Sequence, residues 1–436
     1  VGLFGSMSEV ASLLEELRQR ELLAQVSDEE ALEAHLEGGS RTVYCGFDPT
    51  ADSLHIGNLV PLMTLRRFQR RGHRPVLLIG GATGMIGDPS GRSAERNLNN
   101  ADTVSGWVDR IRRQVEGLVA FGAEADDNNA AVIVNNLDWT ADLTVIDFLR
   151  EIGKHFSVNQ MIQRDSVRSR LEREGEGISY TEFSYMLLQA NDYAELAGRY
   201  DCSVQIGGSD QWGNIVSGMD LVRRKLGRES FALTLPLITK ADGSKFGKTA
   251  EGTVWLDAAR TSPYGFYQFW LNTADADAVR FLKIFTFLSI EDIAAIAGQA
   301  EQAPELRIAQ RRLASEVTAL VHGEEGLASA ERITAALFDG ELGALSENDL
   351  DQLAQDGMDC TDLAEPAIGL LAVLADSGLA KSRGEARKLV AGNGIRVNGV
   401  VQTDVERELD WGDALHGRFY LLRKGKKNWA MVRRRA

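Results

Sequence analysis

The sequence predicts an α/β chain: a Rossmann-like doubly wound parallel sheet, followed by an α-helical domain and a small α+β domain. Three observations predict it. The short apolar runs at 75–79 and 131–134 read as buried strands and 202–206 as a further strand, and each passes through a polar or glycine-rich turn into a helical pattern. Residues 257–340 keep helical periodicity with few strand signals. The tail pairs a basic amphipathic helix with short hairpin-like strands. A length of 436 residues, 44% of them hydrophobic and 25% charged, allows two or three globular domains with their own cores. No apolar run nears the ~20 residues that span a bilayer, so no membrane partner is expected.

In chain order, residues 8–36 read as helical, with Leu13, Leu14, Leu17, Leu32 and Leu36 among charges, until Gly38-Gly39 stops them. Residues 1–6, ahead of Met7, read as a tag remnant. Thr42, Val43 and Tyr44 open a short strand that Asp48-Pro49-Thr50 breaks. Leu54, Leu59 and Leu62 then recur at helical spacing, so a helix starts near His55. Strand, tight turn and helix N-terminus is how α/β proteins present a phosphate site. His55 and Asn58 lie three apart on that first turn and could both reach one phosphate. The plainer alternative is an ordinary junction capped by Asp52 or Ser53.

The strand at 75–79 runs into the glycine-rich loop 80–91, which does not spell G-x-G-x-x-G and is no dinucleotide fingerprint. Asp88, Arg92 and Arg96 put an anion and two cations beside it. A helix over 101–121 and the strand at 131–134 follow. Residues 142–195 look mainly helical. Within them Tyr185, Gln189 and Asp192 share one helix face, a stripe that suits a polar zwitterionic ligand or plain solvent. After the strand at 202–206, the loop 207–213 places Asp210 and Gln211 for ribose hydroxyls or an amino group. A further strand is expected at 233–238.

Residues 243–249 nearly spell a Walker A loop, but the two glycines enclose three residues instead of four. What remains is a polar loop with Lys245 and Lys248, which could meet a triphosphate as charge develops on it, or could simply be exposed. Trp255, Trp270, Phe281, Phe285 and Phe287 are expected in the core of the helical region. Residues 341–365 are acidic, poorly periodic and read as a linker. Near the end, Phe419, Tyr420 and Trp429 interleave with Arg418, Arg423, Lys424, Lys426 and Lys427, a pattern that favours RNA over a membrane. The whole chain carries −15, yet 14 Lys or Arg stand against 6 Asp or Glu from Lys381 onward, a local +8 on an otherwise acidic body. Cys45, Cys202 and Cys360 are too few and scattered for a disulfide framework or zinc site, which fits a reducing cytoplasm.

Together these stretches resemble the bacterial tyrosyl-tRNA synthetases, class I aminoacyl-tRNA synthetases, from about Leu17 onward. His55-Ile56-Gly57-Asn58 is similar to the family's HIGH motif, and Lys245-Phe246-Gly247-Lys248-Thr249 to its KMSKS motif. Tyr44 to Thr50, the 80–91 loop, the Tyr185/Gln189/Asp192 stripe and the 207–213 loop match the tyrosine-specific pattern. Six collinear matches make the resemblance specific. The tail resembles an RNA-binding domain also found in a ribosomal protein and in pseudouridine synthases. Asn58 departs from HIGH by replacing its second histidine, and Arg92 stands where relatives often have lysine.

The resemblance implies a tyrosine–tRNA ligase that forms tyrosyl-adenylate and pyrophosphate, then charges tRNA(Tyr). It assigns L-tyrosine to Tyr44, Asp88, Tyr185, Gln189, Asp192 and Gln211, and the nucleotide to Cys45, Gly46, Asp48, Gly57, Gly208 and Asp210. Thr50, His55, Asn58, Lys245, Lys248 and Thr249 would serve the phosphates, and Arg92 and Arg96 the transition state. ATP enters as substrate with Mg²⁺, with no metal tightly held by protein. A cytoplasmic homodimer joined around 142–180 is implied. The expected domains are 1–237 (catalytic), 238–340 (lysine loop and helices), 341–365 (linker) and 366–436 (RNA-binding). The nearest alternative is a tryptophanyl-tRNA synthetase, against which Tyr44, Asp192 and the basic tail speak. A noncatalytic RNA-binding relative is the other, against which His55, Lys245 and Lys248 speak.

Overall fold

The computed structural model describes residues 11–90, 100–122, 129–172, 177–244, 246–249, 252–364 and 367–435. Residues 1–6, Arg92, Arg96 and Lys245 lie outside them, and Lys248 and Thr249 are described by backbone alone. The chain divides into two units, one of residues 1–256 with 275–304, the other of 257–274 with 305–436.

The first unit is built on six strands: β1 (Gln25–Val26), β2 (Thr42–Phe47), β3 (Arg74–Ile79), β4 (Val132–Asn135), β5 (Cys202–Gly208) and β6 (Phe231–Leu235). Their order is β1-β6-β5-β2-β3-β4, parallel throughout except where β1 pairs antiparallel with β6. The doubly wound sheet is as expected. Chain order runs outward from β2 to β4 on one side and from β5 to β6 on the other, so the β2/β5 boundary is a topological switch point. A ligand crevice belongs at its carboxyl end.

Residues 8–36 differ from the single helical segment expected. Helices Leu13–Gln19 and Glu29–Glu37 flank β1. Gln25 and Val26 are too few to show a period. They are strand because the edge of β6 offers partners, and Ala24 N–H and Ser27 N–H extend the pairing onto Thr234 and Ala232 carbonyls. Helix Leu59–Arg70 buries Leu59, Leu62, Leu65 and Phe68. Helix Tyr180–Tyr200 lays Met186, Ala190, Tyr193 and Ala194 into a core shared with Tyr44, Val76 and Val134.

Helix Asp275–Phe285 also belongs to this unit, and its C-terminal carbonyls are gripped by two arginines. Arg67 donates to Thr286 O at 2.8 Å and Ile284 O at 3.2 Å. Arg20 donates to Leu288 O at 2.8 Å and Lys283 O at 3.1 Å. Cations at a helix C-terminus oppose its partial negative charge. Arg67 is fully buried, and that burial pulls its guanidinium down to about 9.

In the second unit, helix Pro263–Leu271 packs on the long helix Ile308–Asp339, which bends at Gly323. The expected linker 341–365 instead holds helix Glu347–Gln352 and strand Cys360–Leu363. Leu342, Leu345, Leu350 and Leu353 are buried against Phe419, Leu421 and Met431. Four leucines among many acids conceal a core-facing stripe. Strand Cys360–Leu363 runs parallel to Asn428–Arg434 in a five-stranded sheet, and helix Arg383–Ala391 is capped by Ser382.

Substituting Arg67 by Ala should cost roughly 2–4 kcal/mol, since it orphans buried carbonyls and opens a cavity. Urea unfolding of the purified chain measures it.

Candidate active site

At the switch point lies a cavity of about 590 Å³, lined by the carboxyl ends of β2 and β5. Its walls include Tyr44, Cys45, Gly46, Asp48, Thr50, His55, Gly57 and Asn58. Asp88, Tyr185, Gln189, Asp192, Gly208, Asp210 and Gln211 complete them. Every expected site residue whose side chain is described therefore borders one space.

One end is a buried polar network. Tyr185 Oη donates to Asp48 Oδ2 at 2.6 Å, and Thr83 Oγ1 to Asp48 Oδ1 at 2.6 Å. Asn136 Nδ2 donates to Thr83 Oγ1 and to Asp192 Oδ2, each at 3.0 Å. Trp139 Nε1 donates to Asp192 Oδ1 at 2.8 Å. Beside these, the Tyr44 hydroxyl and Gln189 Oε1 are buried with no hydrogen-bond partner among the described residues. Such orphans are costly unless a ligand meets them. Gln205 pairs in register with Tyr44 on the neighbouring strand, and its Oε1 is orphaned too. Asp192 is driven up to about 7 because burial disfavours its charge, against the pull of the Asn136 and Trp139 donors. Burial and the Asp192 charge push the Tyr44 phenol upward.

Asn136, Trp139, Thr83 and Gln205 were absent from the sequence expectation. Thr83 lies within the glycine-rich loop 80–91 and Gln205 within the strand at 202–206, but neither was singled out, and Asn136 and Trp139 follow the strand at 131–134.

Asp88 and Gln211 face each other, Gln211 Nε2 donating to Asp88 Oδ2 at 2.6 Å. At Gly208 a Cβ would stand 2.4 Å from Asp210 Oδ1, so any larger residue would require the Asp210 carboxylate to turn aside. At Gly46, by contrast, a Cβ would meet only Leu78 at 3.8 Å, yet the residue is exposed on the cavity wall. The fold leaves that position open to a ligand.

The other end is the His55 turn. Residues Ile56–Asn58 form a short 3₁₀ turn leading into helix Leu59–Arg70. His55 itself is the cap: its Nδ1 accepts from Gly57 N–H at 3.1 Å, and Asn58 Oδ1 accepts from His55 N–H at 3.0 Å. Neither Asp52 nor Ser53 caps it; Asp52 instead pairs with Arg110 at 2.6 Å. His55 and Thr50 are exposed. Trp255, expected in the helical core, is half-buried beside the His55 ring, 6.4 Å between centroids.

The Rossmann-like sheet thus carries a polar switch-point cavity with a histidine turn at its rim. The family model described as class I tRNA synthetases for W and Y matches residues 37–339, and a tyrosine–tRNA ligase C-terminal domain matches 349–432. The tyrosine–tRNA ligase of Escherichia fergusonii is 56% identical over 422 residues, covering 97% of this chain and 99% of that one. Among solved structures, the truncated mitochondrial tyrosyl-tRNA synthetase of Aspergillus nidulans aligns with TM-score 0.68 at 30% identity, over 76% of this chain and 95% of that one. A tryptophanyl-tRNA synthetase from Encephalitozoon cuniculi aligns at 0.52 and 12% identity over 77% of this chain and 89% of that one, which shows a shared fold alone. The chain belongs to the tyrosine–tRNA ligase family.

Between the ordinary carboxylate range and about pH 7, folded Asp192 holds more proton than unfolded Asp192, so the ligand-free chain should lose stability as pH rises through that window. Thermal unfolding of Asp192→Asn, compared with the parent at about pH 5 and about pH 8, should show that slope removed.

Proposed function

We propose that the cavity binds L-tyrosine at its network end and ATP along the Gly46–His55 wall, for adenylate formation and charging of tRNA(Tyr). The orphaned Tyr44 hydroxyl facing the Asp192 region is the observation that carries the reading. A phenol placed there would give the Tyr44 hydroxyl the partner it lacks and Asp192 a further donor beside Asn136 and Trp139. Phenylalanine would leave the Tyr44 hydroxyl unpaired, and tyrosine-selecting synthetases are the established instance of that discrimination. Asp88, Tyr185 and Gln189 are assigned to the ammonium group and Gln211 to the carboxylate side. Asp48, engaged by Tyr185 and Thr83, is assigned to the wall between amino acid and nucleotide. Cys45, Gly46, Gly57, Gly208 and Asp210 take the nucleotide.

The reaction needs no general base. The tyrosine carboxylate is already ionised when it attacks the α-phosphate, so the protein's work is orientation and stabilisation of charge on phosphorus and pyrophosphate. His55, Asn58, Thr50, Lys245, Lys248 and Thr249 are assigned that work, with Arg92 and Arg96 supporting the transition state. Mg²⁺ arrives with the triphosphate as part of the substrate.

The remaining assignments are made on the same footing. The division is kept in three parts, 1–237, 238–340 and 341–436, with 341–365 joined to the C-terminal body. Exposed Val145, Ile146, Leu149, Val158 and Ile162 support homodimerisation through 142–180. Buried, unbridged Cys45 and Cys202 suit a reducing cytoplasm. Among the described residues no helix is long and apolar enough to cross a membrane. Exposed Lys426 and Lys427 support an RNA contact.

Pyrophosphate exchange dependent on L-tyrosine tests the whole; exchange with tryptophan instead would overturn it. Asp192→Ala should weaken tyrosine binding by roughly 1–3 kcal/mol and erase preference over phenylalanine. Lys426→Glu with Lys427→Glu should leave exchange intact while slowing tRNA charging, read as aminoacylation at two salt concentrations.

A further inference from the structure

The loop that carries the lysines is tied to the rest of the first unit by hydrogen bonds and ring contacts. Asp277 Oδ1 accepts from Ala241 N–H at 2.9 Å, and Arg280 donates to Thr239 O at 3.1 Å. Phe246, which lies between the two lysines, sits on helix Asp275–Phe285. Its ring stacks on Phe285 at 5.0 Å and meets Phe281 edge-on at 5.1 Å. Beyond it, Gly247 O accepts from Val254 N–H at 3.2 Å, and Val254 O accepts from Ile56 N–H at 3.1 Å. A backbone relay therefore runs from the His55 turn, through the return segment, to the peptide just ahead of Lys248. The helix that seats Phe246 is itself gripped by Arg67, from the helix that His55 and Asn58 begin.

We propose that Phe246 is a positioning residue for adenylate formation: its seat on Phe281 and Phe285 holds the lysine loop in register with the His55–Asn58 turn. An edge-on and a stacked contact together fix the ring's place and tilt, as a single apolar contact would not. Lysine side chains are long and mobile, so where their backbone is held decides whether their ammonium groups meet the leaving pyrophosphate. The inference rests on the assignment of Lys245 and Lys248 to the phosphates.

The test compares Phe246→Leu, Phe285→Leu, the double variant and Lys248→Ala in full-length chain. Each is assayed for tyrosine-dependent pyrophosphate exchange and, separately, for L-tyrosine binding by equilibrium dialysis. Phe246→Leu should lower kcat on the order of 10- to 100-fold with L-tyrosine affinity unchanged. The double variant should lose no more than its worse parent, because one seat is removed once. Parallel loss of tyrosine binding in Phe246→Leu would mean a merely structural role and would overturn the proposal. So would a raised kcat, which would make the seat a restraint. Unchanged exchange in Phe246→Leu with exchange lost in Lys248→Ala would sink the seat and leave the site assignment standing. Unchanged exchange in Lys248→Ala would remove both.

Discussion

The polar chain from Tyr185 through Asp48, Thr83 and Asn136 to Asp192 and Trp139 is the constraint on which the cavity depends. It cross-links the carboxyl ends of β2, β3 and β4 to the middle of helix Tyr180–Tyr200. Inside a low-dielectric interior each of these bonds is strengthened by its neighbours, and a missing one would strand its partner. The orphaned groups beside the network, at Tyr44, Gln189 and Gln205, belong to residues that border the cavity.

The opposite end is held by different means. The His55 turn is fixed by its own capping box and by backbone pairing to the segment around Val254, while helix Asp275–Phe285 braces the lysine loop. One end thus presents buried neutral and acidic groups. The other presents the exposed imidazole of His55 on a turn whose amides are already paired. Both ends line one cavity.

Much of this was legible in the sequence because it depends on local pattern. The runs at 75–79 and 131–134 announce buried parallel strands, and the four-then-three spacing of Tyr185, Gln189 and Asp192 places them on one helix face. What escaped depends on contacts far apart in the chain. Asn136 and Trp139 reach Asp192 across more than fifty residues of sequence. Gln25 and Val26 are strand only because β6 has a free edge. The cap at His55 was hidden because histidine is not among the residues that usually cap a helix. The leucines at 342–353 were masked by the acids between them.

The pairing of Cys360–Leu363 with Asn428–Arg434 has a bearing on synthesis. During translation the residues before 304 can condense as they emerge, whereas Pro263–Leu271 must wait for Ile308–Asp339, and the last sheet must wait for residues 428–434. Contacts of such long sequence separation close slowly. On the ribosome the nascent chain would hold its first unit assembled while Leu350 and Leu353 stay uncovered until Met431 emerges to join their core. Slow codons or chaperone capture would be felt most in that interval.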